Sequence, residues 1–117
     1  MLSFRHCHAK AKGMVIKMNP KLKDEYVDFL FKAILSLETE EECYRFFEDL
    51  CTLPEIKAMS QRLVVAKMLS EKRVYSEIVA KTGASTTTIS RVNRAFSNDC
   101  DGYMLAFKKM AEKENKE

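Results

Sequence analysis

Glycine and proline are scarce in this sequence, with three and two among its 117 residues. This scarcity excludes collagen-like chains and low-complexity disordered chains. No apolar run approaches the roughly 20 residues that span a bilayer, so we predict no membrane-spanning helix. Apolar residues make up 46% of the sequence and charged residues 32%, which is typical of a globular, mostly helical protein.

Histidine is also rare, and both residues, His6 and His8, lie near the N-terminus. The rest of the chain therefore has no imidazole for acid–base catalysis near neutral pH. It also shows no glycine-rich phosphate loop and no nucleophile–base pair, so we predict that the protein is not an enzyme and uses no cofactor. The four cysteines are scattered without a CxxC pair, which predicts reduced thiols, no metal site and a cytoplasmic protein.

Charge is distributed unevenly, although the net charge is only +3. Residues 1–23 carry six Lys or Arg and no acidic residue, whereas residues 24–55 carry ten acidic and two basic residues. Residues 56–98 carry eight basic and two acidic residues. This pattern fits a polyanion-binding face beside an acidic scaffold, although an alternation of solvated helix faces would look similar.

The first 18 residues show no helical periodicity. We therefore predict a flexible basic tail over residues 1–18 and a single helical domain over residues 19–117. Met14 and Met18 are alternatives to Met1 as the translation start, which N-terminal mass spectrometry of the native protein would decide.

Apolar residues recur at three- and four-residue spacing along most of the chain after residue 19. Asn19 and Pro20 have the types of an N-cap and a first helical residue, and they predict a helix from about 20 to 37. Two capping boxes, Thr39 with Glu42 and Thr52 with Glu55, predict further helix starts. The whole pattern predicts an all-α fold of about six helices.

The stretch GASTTTISRVNRAF, which begins at Gly83, follows a short amphipathic segment. Gly83 predicts the end of that first helix, because glycine tolerates the left-handed conformation just beyond a helix. Ser85 can cap a second helix that buries Ile89 and Val92. A short helix, a glycine turn and a second amphipathic helix predict a helix-turn-helix over about residues 74–96. An ordinary helical hairpin with a capped surface helix is the plainer alternative.

The second helix of this motif presents Thr86, Thr87, Ser90 and Arg94 on its outward face. Short hydroxyl side chains can approach base edges or phosphates closely, and a helix N-terminus attracts phosphate oxygens. Arg91 and Arg94 add donors suited to guanine or phosphate. This face is predicted to contact double-stranded DNA.

Two stretches, TLPEIKAMSQRLVVAKML and YSEIVAKTGASTTTISRV, resemble the tryptophan repressor superfamily, and most closely its branch of Trp-repressor-like bacterial regulators. The resemblance covers about residues 20–100 and is most specific from Thr52 to Arg94. It implies an interlocked, all-helical homodimer whose N-terminal helices share one core. It also implies a palindromic operator with one recognition helix in each half-site, a docking geometry of which the Trp repressor is itself an example.

The resemblance also implies roles for single positions in DNA binding. Thr86, Thr87 and Ser90 fall where the family faces bases, and Thr88 falls where it meets phosphate. Five basic side chains are expected to neutralise phosphates: Lys57, Arg62, Lys81, Arg91 and Arg94. The predicted DNA-binding residues are Ser85, Thr86, Thr87, Thr88, Ser90, Arg91, Arg94 and Lys81.

A corepressor pocket of Thr52, Arg62 and Arg91 is implied in the same way. Val92 stands where the family has a small glycine, and Ala95 stands where it has a serine. Val92 would occupy volume that an indole ring needs, and Ala95 removes a polar partner for the ligand amine. We therefore expect no tryptophan corepressor, whereas the arginines could bind phosphates or another small ligand.

The function predicted from these residues is a sequence-specific, DNA-binding transcriptional regulator that acts as a homodimer. The alternative is a protein-interaction module, in which the helix-turn-helix fold docks part of the transcription machinery through the acidic, aromatic-rich segment 24–50. We expect the aromatic residues of that segment to form the dimer core instead. They are Tyr26, Phe29, Phe46 and Phe47.

Overall fold

Six α-helices make up the described part of the chain, residues 19–97 and 101–116 of the computed structural model, and no strand occurs there. The helices are α1 (Glu25–Leu35), α2 (Glu40–Leu50), α3 (Leu53–Ser70), α4 (Tyr75–Thr82), α5 (Thr86–Ser97) and α6 (Gly102–Lys116). The predicted all-α class is thereby confirmed. None of these helices is long and apolar enough to cross a membrane. The predicted tail over 1–18, with its histidines and methionines, lies outside the described residues.

The predicted start of the first helix at Pro20 is wrong. Asn19 does act as a cap, since its Oδ1 accepts a hydrogen bond from the Lys21 N–H at 2.9 Å, but it caps only a 3₁₀ turn, Pro20–Leu22. Asp24 then adopts an extended conformation, and its Oδ1 accepts from the Val27 N–H at 2.8 Å. Asn19 and Asp24 thus each cap a helix of their own, and the α-helix begins after the second cap.

The described residues divide into two compact units between Thr52 and Leu53. We call residues 19–52 the N-terminal unit and residues 53–116 the C-terminal unit. A single domain over 19–117 stays a prediction.

The N-terminal unit contains two short helices joined by a capped turn. The Thr39 Oγ1 accepts from the Glu42 N–H at 3.1 Å, which confirms this predicted helix start. The Glu42 carboxylate accepts a hydrogen bond from the Glu38 N–H at 2.7 Å, one residue before the cap. The turn therefore satisfies two backbone donors that α2 itself cannot pair.

Large apolar side chains of the N-terminal unit are exposed. Neither α1 nor α2 has a buried residue. The exposed fractions reach 78% for Tyr26, 83% for Leu35 and 74% for Tyr44. Apolar area that stays in water contributes nothing to hydrophobic stabilisation, so one chain leaves this unit without a core of its own.

The C-terminal unit has a buried core built around α3, which contacts α4, α5 and α6. Ile78, Ile89 and Val92 are buried in it, as the helical spacing predicts. The α6 helix adds Tyr103 and Phe107, whose rings stack at 6.3 Å and pack against the core. The remaining buried side chains of this core are Val65, Ala66, Met68 and Ala84.

Candidate nucleic-acid interface

The turn between α4 and α5 is built as predicted around Gly83. Gly83 has φ 74°, and its N–H donates to the Val79 carbonyl at 2.9 Å, which ends α4 in the left-handed conformation. The Thr82 hydroxyl donates to the Ile78 carbonyl at 2.7 Å and accepts from the Ala84 N–H at 3.1 Å. These bonds fix the angle at which α5 leaves the turn.

The same turn is tied to the central helix α3. The Gln61 side-chain amide on α3 donates to the Thr82 carbonyl at 3.1 Å. That carbonyl lies at the end of α4, where carbonyls lack partners within the helix. The bond therefore holds the turn at a defined position on α3.

Ser85 caps α5, as predicted. Its Oγ accepts from the Thr88 N–H at 3.1 Å and donates to the Thr88 Oγ1 at 3.1 Å. The Ser85 carbonyl accepts from the Ile89 N–H at 3.0 Å, which starts the backbone ladder of the helix. These two hydroxyls therefore serve the start of α5, and Thr88 is half-buried there.

Three other hydroxyls of α5, on Thr86, Thr87 and Ser90, are exposed and have no hydrogen-bond partner among the described residues. Hydroxyls of α3 behave differently, because Ser60 and Ser70 donate to carbonyls of the preceding turn at 3.0 and 2.6 Å. The α5 hydroxyls thus remain available to an external acceptor or donor.

Unpaired positive charge lies around this exposed hydroxyl face. Arg91 and Arg94 are exposed on α5, and the first turn of α5 carries no acidic residue. Lys57 and Lys81 line a cleft of about 460 Å³ between α3 and α4. Within the described ranges, none of these side chains forms an ion pair with Asp or Glu. The positive end of the α5 dipole and these cations would both attract an anion, because no acidic side chain of the described residues neutralises them.

A contact between Tyr75 and Asn93 was missed by the sequence analysis. The Asn93 side-chain amide on α5 donates to the Tyr75 hydroxyl at the start of α4, at 3.4 Å. It joins the two helices at the end away from the glycine turn. Local spacing holds no signal for such a pair, since the residues are 18 positions apart.

The predicted ligand-pocket residues differ in their positions. Arg62 and Arg91 are exposed on α3 and α5, and Thr52 is exposed at the end of the N-terminal unit. Val92 is only 4% exposed and belongs to the core, while Ala95 is half-buried. A pocket formed by the two arginines and Thr52 stays a prediction.

Comparison with known proteins gives a consistent set of relatives. The family model described as Trp repressor protein matches residues 25–111. The uncharacterized protein YerC of Bacillus subtilis (strain 168) is 51% identical over 94 residues, which are 80% of this chain and 90% of that protein.

Two solved structures are similar as well. A TrpR-like protein from Eubacterium eligens ATCC 27750 has a TM-score of 0.76 and 55% identity, and the match covers 80% of this chain and 96% of that one. A candidate Trp repressor from Staphylococcus aureus has a TM-score of 0.74 and 49% identity, and covers 78% and 91% respectively.

Proposed function

This chain belongs to the Trp repressor family of regulators, and we propose that it is a sequence-specific, DNA-binding transcriptional regulator that acts as a homodimer in the cytoplasm. One observation carries the proposal. The face of α5 that points away from the core combines unpartnered hydroxyls with unpaired arginines, whereas the hydroxyls of Ser60 and Ser70 on α3 bond back to their own helix.

In the proposed complex, α5 enters the major groove and α4 crosses the DNA backbone. Thr86, Thr87 and Ser90 contact base edges, where a hydroxyl both donates and accepts and the threonine methyl group can meet a thymine methyl group. Arg91 and Arg94 donate to phosphate oxygens or to guanine. Ser85 and Thr88 hold the helix start, whose free N–H groups favour a phosphate.

The exposed apolar face of the N-terminal unit supports the proposed homodimer. A second copy that covers α1 and α2 would remove Tyr26, Leu35 and Tyr44 from water and complete a core that one chain leaves open. Two copies related by a two-fold axis present two α5 helices, which reach half-sites about 34 Å apart along one side of the duplex. The operator is accordingly expected to be palindromic.

Tryptophan is not the effector in this proposal. Val92 is buried among core side chains and cannot move aside for an indole ring without loss of packing. Arg62 and Arg91 remain available for phosphate or for another small ligand. We therefore propose that DNA binding does not require tryptophan.

Selection from random duplexes with the purified protein, with and without tryptophan, tests this proposal. We expect one palindromic sequence under both conditions, with an affinity that falls roughly 10²–10³-fold between 50 and 200 mM salt if four to six phosphates are neutralised. Arg94→Ala should weaken binding, whereas Lys109→Ala, which removes an exposed positive charge from α6, should not. Recovery of no sequence and no salt-sensitive duplex binding would sink the proposal.

The second candidate is a protein-interaction module, favoured by the same exposed apolar side chains in an acidic segment. In that case the protein would be monomeric, and Thr87→Ala and Arg94→Ala would leave binding to the protein partner intact. A dimer in solution that selects a palindrome distinguishes the two candidates in favour of the first.

A further inference from the structure

The end of α3 contains a lysine in a backbone conformation that normally belongs to glycine. Lys72 has φ 65° and is the non-glycine residue with positive φ among the described residues. Its N–H donates to the Leu69 carbonyl at 3.0 Å, and the Arg73 N–H donates to the Met68 carbonyl at 3.1 Å. This is the paired hydrogen bonding of a Schellman motif, with Lys72 at the left-handed position.

The next helix end, after α4, has a glycine at the left-handed position. Gly83 occupies the left-handed position after α4, with φ 74° and without the Cβ that makes this conformation unfavourable. A lysine at the equivalent place after α3 keeps its Cβ in a conformation that disfavours L-residues, and its side chain makes no hydrogen bond or ion pair within the described residues. Strain that persists in a folded chain points to a role for the side chain itself.

The charges next to Lys72 compensate one another. Glu71 lies 3.8 Å from the Lys67 ammonium and 3.9 Å from the Arg73 guanidinium, which in turn lies 3.7 Å from the Glu77 carboxylate. Two cations and two anions thus form a neutral chain of ion pairs. Lys72 is exposed and takes no part in it, so its charge is the surplus at this turn.

We propose that Lys72 is a DNA-backbone contact: its ammonium group binds a phosphate oxygen at the flank of the half-site. This inference rests on the proposed function. Lys72 lies three residues before α4, the helix that crosses the DNA backbone in a helix-turn-helix complex. It therefore adds a phosphate contact at the opposite end of α4 from Lys81, and neither the sequence pattern nor the family resemblance assigned it.

Two substitutions distinguish the effect of the Lys72 charge on DNA binding from the effect of its backbone strain on stability. Lys72→Gly removes both charge and strain, so we expect a melting temperature a few degrees above that of the wild type together with weaker binding to the selected duplex. Lys72→Gln removes the charge and keeps the strain, so binding should weaken equally while stability stays near that of the wild type. Each lost contact should lower affinity about fivefold near 0.15 M salt and reduce the salt slope by about 0.9 per protomer.

Lys109→Gln, on the exposed side of α6, is the control for the loss of one positive charge elsewhere. It should leave the affinity and the salt slope unchanged. If the wild type binds DNA and both Lys72 variants bind equally well with the same salt slope, the inference is wrong while the proposed function stands. If Lys72→Gln loses stability but not affinity, the lysine serves the C-terminal end of α3 instead. A wild type that binds no duplex would refute the proposed function itself.

Discussion

The N-terminal and C-terminal units solve the problem of folding in opposite ways. The C-terminal unit buries seven side chains around α3 and leaves basic and hydroxyl groups outside. The N-terminal unit is acidic, buries no side chain of its two helices, and exposes aromatic and aliphatic groups. The difference fits the roles that we propose, in which one unit is stable through its own packing and binds DNA, while the other packs against a second copy.

The largest effect on stability is expected from a cavity in the core of the C-terminal unit. Ile89 is fully buried, so Ile89→Ala should lower the free energy of unfolding by about 2–5 kcal/mol. Val79→Ala, at a side chain that is 38% exposed on α4, is the matched control and should cost less than about 1 kcal/mol. Urea denaturation of both variants measures the difference. Equal costs would mean that the core does not centre on Ile89.

The next effect concerns the exposed face of the N-terminal unit. If a second copy buries Leu35, Leu35→Gln should weaken dimerisation by about 1.5–3 kcal/mol, which is roughly 10–100-fold in Kd. Glu112→Gln, a polar exchange on exposed α6 of the C-terminal unit, should leave Kd unchanged. Sedimentation equilibrium measures the monomer–dimer constant. A monomeric wild type, or a Leu35 variant with unaltered Kd, would contradict the role of this face.

A smaller effect is expected at the turn. Gly83→Ala should cost about 1–2 kcal/mol, because an L-residue is strained at φ 74°. A Cβ there would meet no atom within 4 Å, so the cost is conformational and not steric. Gly102→Ala, which also has open space but no positive φ, should be neutral or slightly stabilising. Thermal unfolding of the two alanine variants measures this difference. Equal melting temperatures would show that the positive φ of Gly83 imposes no cost on alanine.

The smallest effect is expected at the cap of α5. Ser85→Ala removes the acceptor for the Thr88 N–H and should cost about 1 kcal/mol. Ser60→Ala removes a hydroxyl that only bonds back to its own helix, and should cost nothing, since alanine is the better helix former. Amide exchange at Thr88 provides a local readout. Protection there that survives in Ser85→Ala would show that the cap is dispensable.

Sequence reasoning succeeded where a pattern is local. The spacing of Ile78, Ile89 and Val92 and the glycine at the turn were enough to predict which faces of α4 and α5 meet. It failed at the start of α1, because Asn19 and Asp24 are both good caps and only the folded chain shows which one begins the α-helix.

The contacts that local patterns could not predict are of two kinds. The Tyr75–Asn93 hydrogen bond joins residues on different helices, so it depends on how α4 and α5 pack. The sequence holds no signal for the left-handed conformation of Lys72, because lysine is not a residue type that favours positive φ. Both features lie at the outer end of the helix-turn-helix, away from the glycine that identified the motif.

The unpartnered hydroxyls of Thr86, Thr87 and Ser90 have a consequence for how this surface can change over generations. Because these groups bond to nothing within the described chain and lie outside the core, their substitution spares the packing that keeps the C-terminal unit folded. Under the proposed function, duplicated copies of the gene would therefore diverge toward different target sites one side chain at a time, because stability and target choice would be separable traits at these three positions.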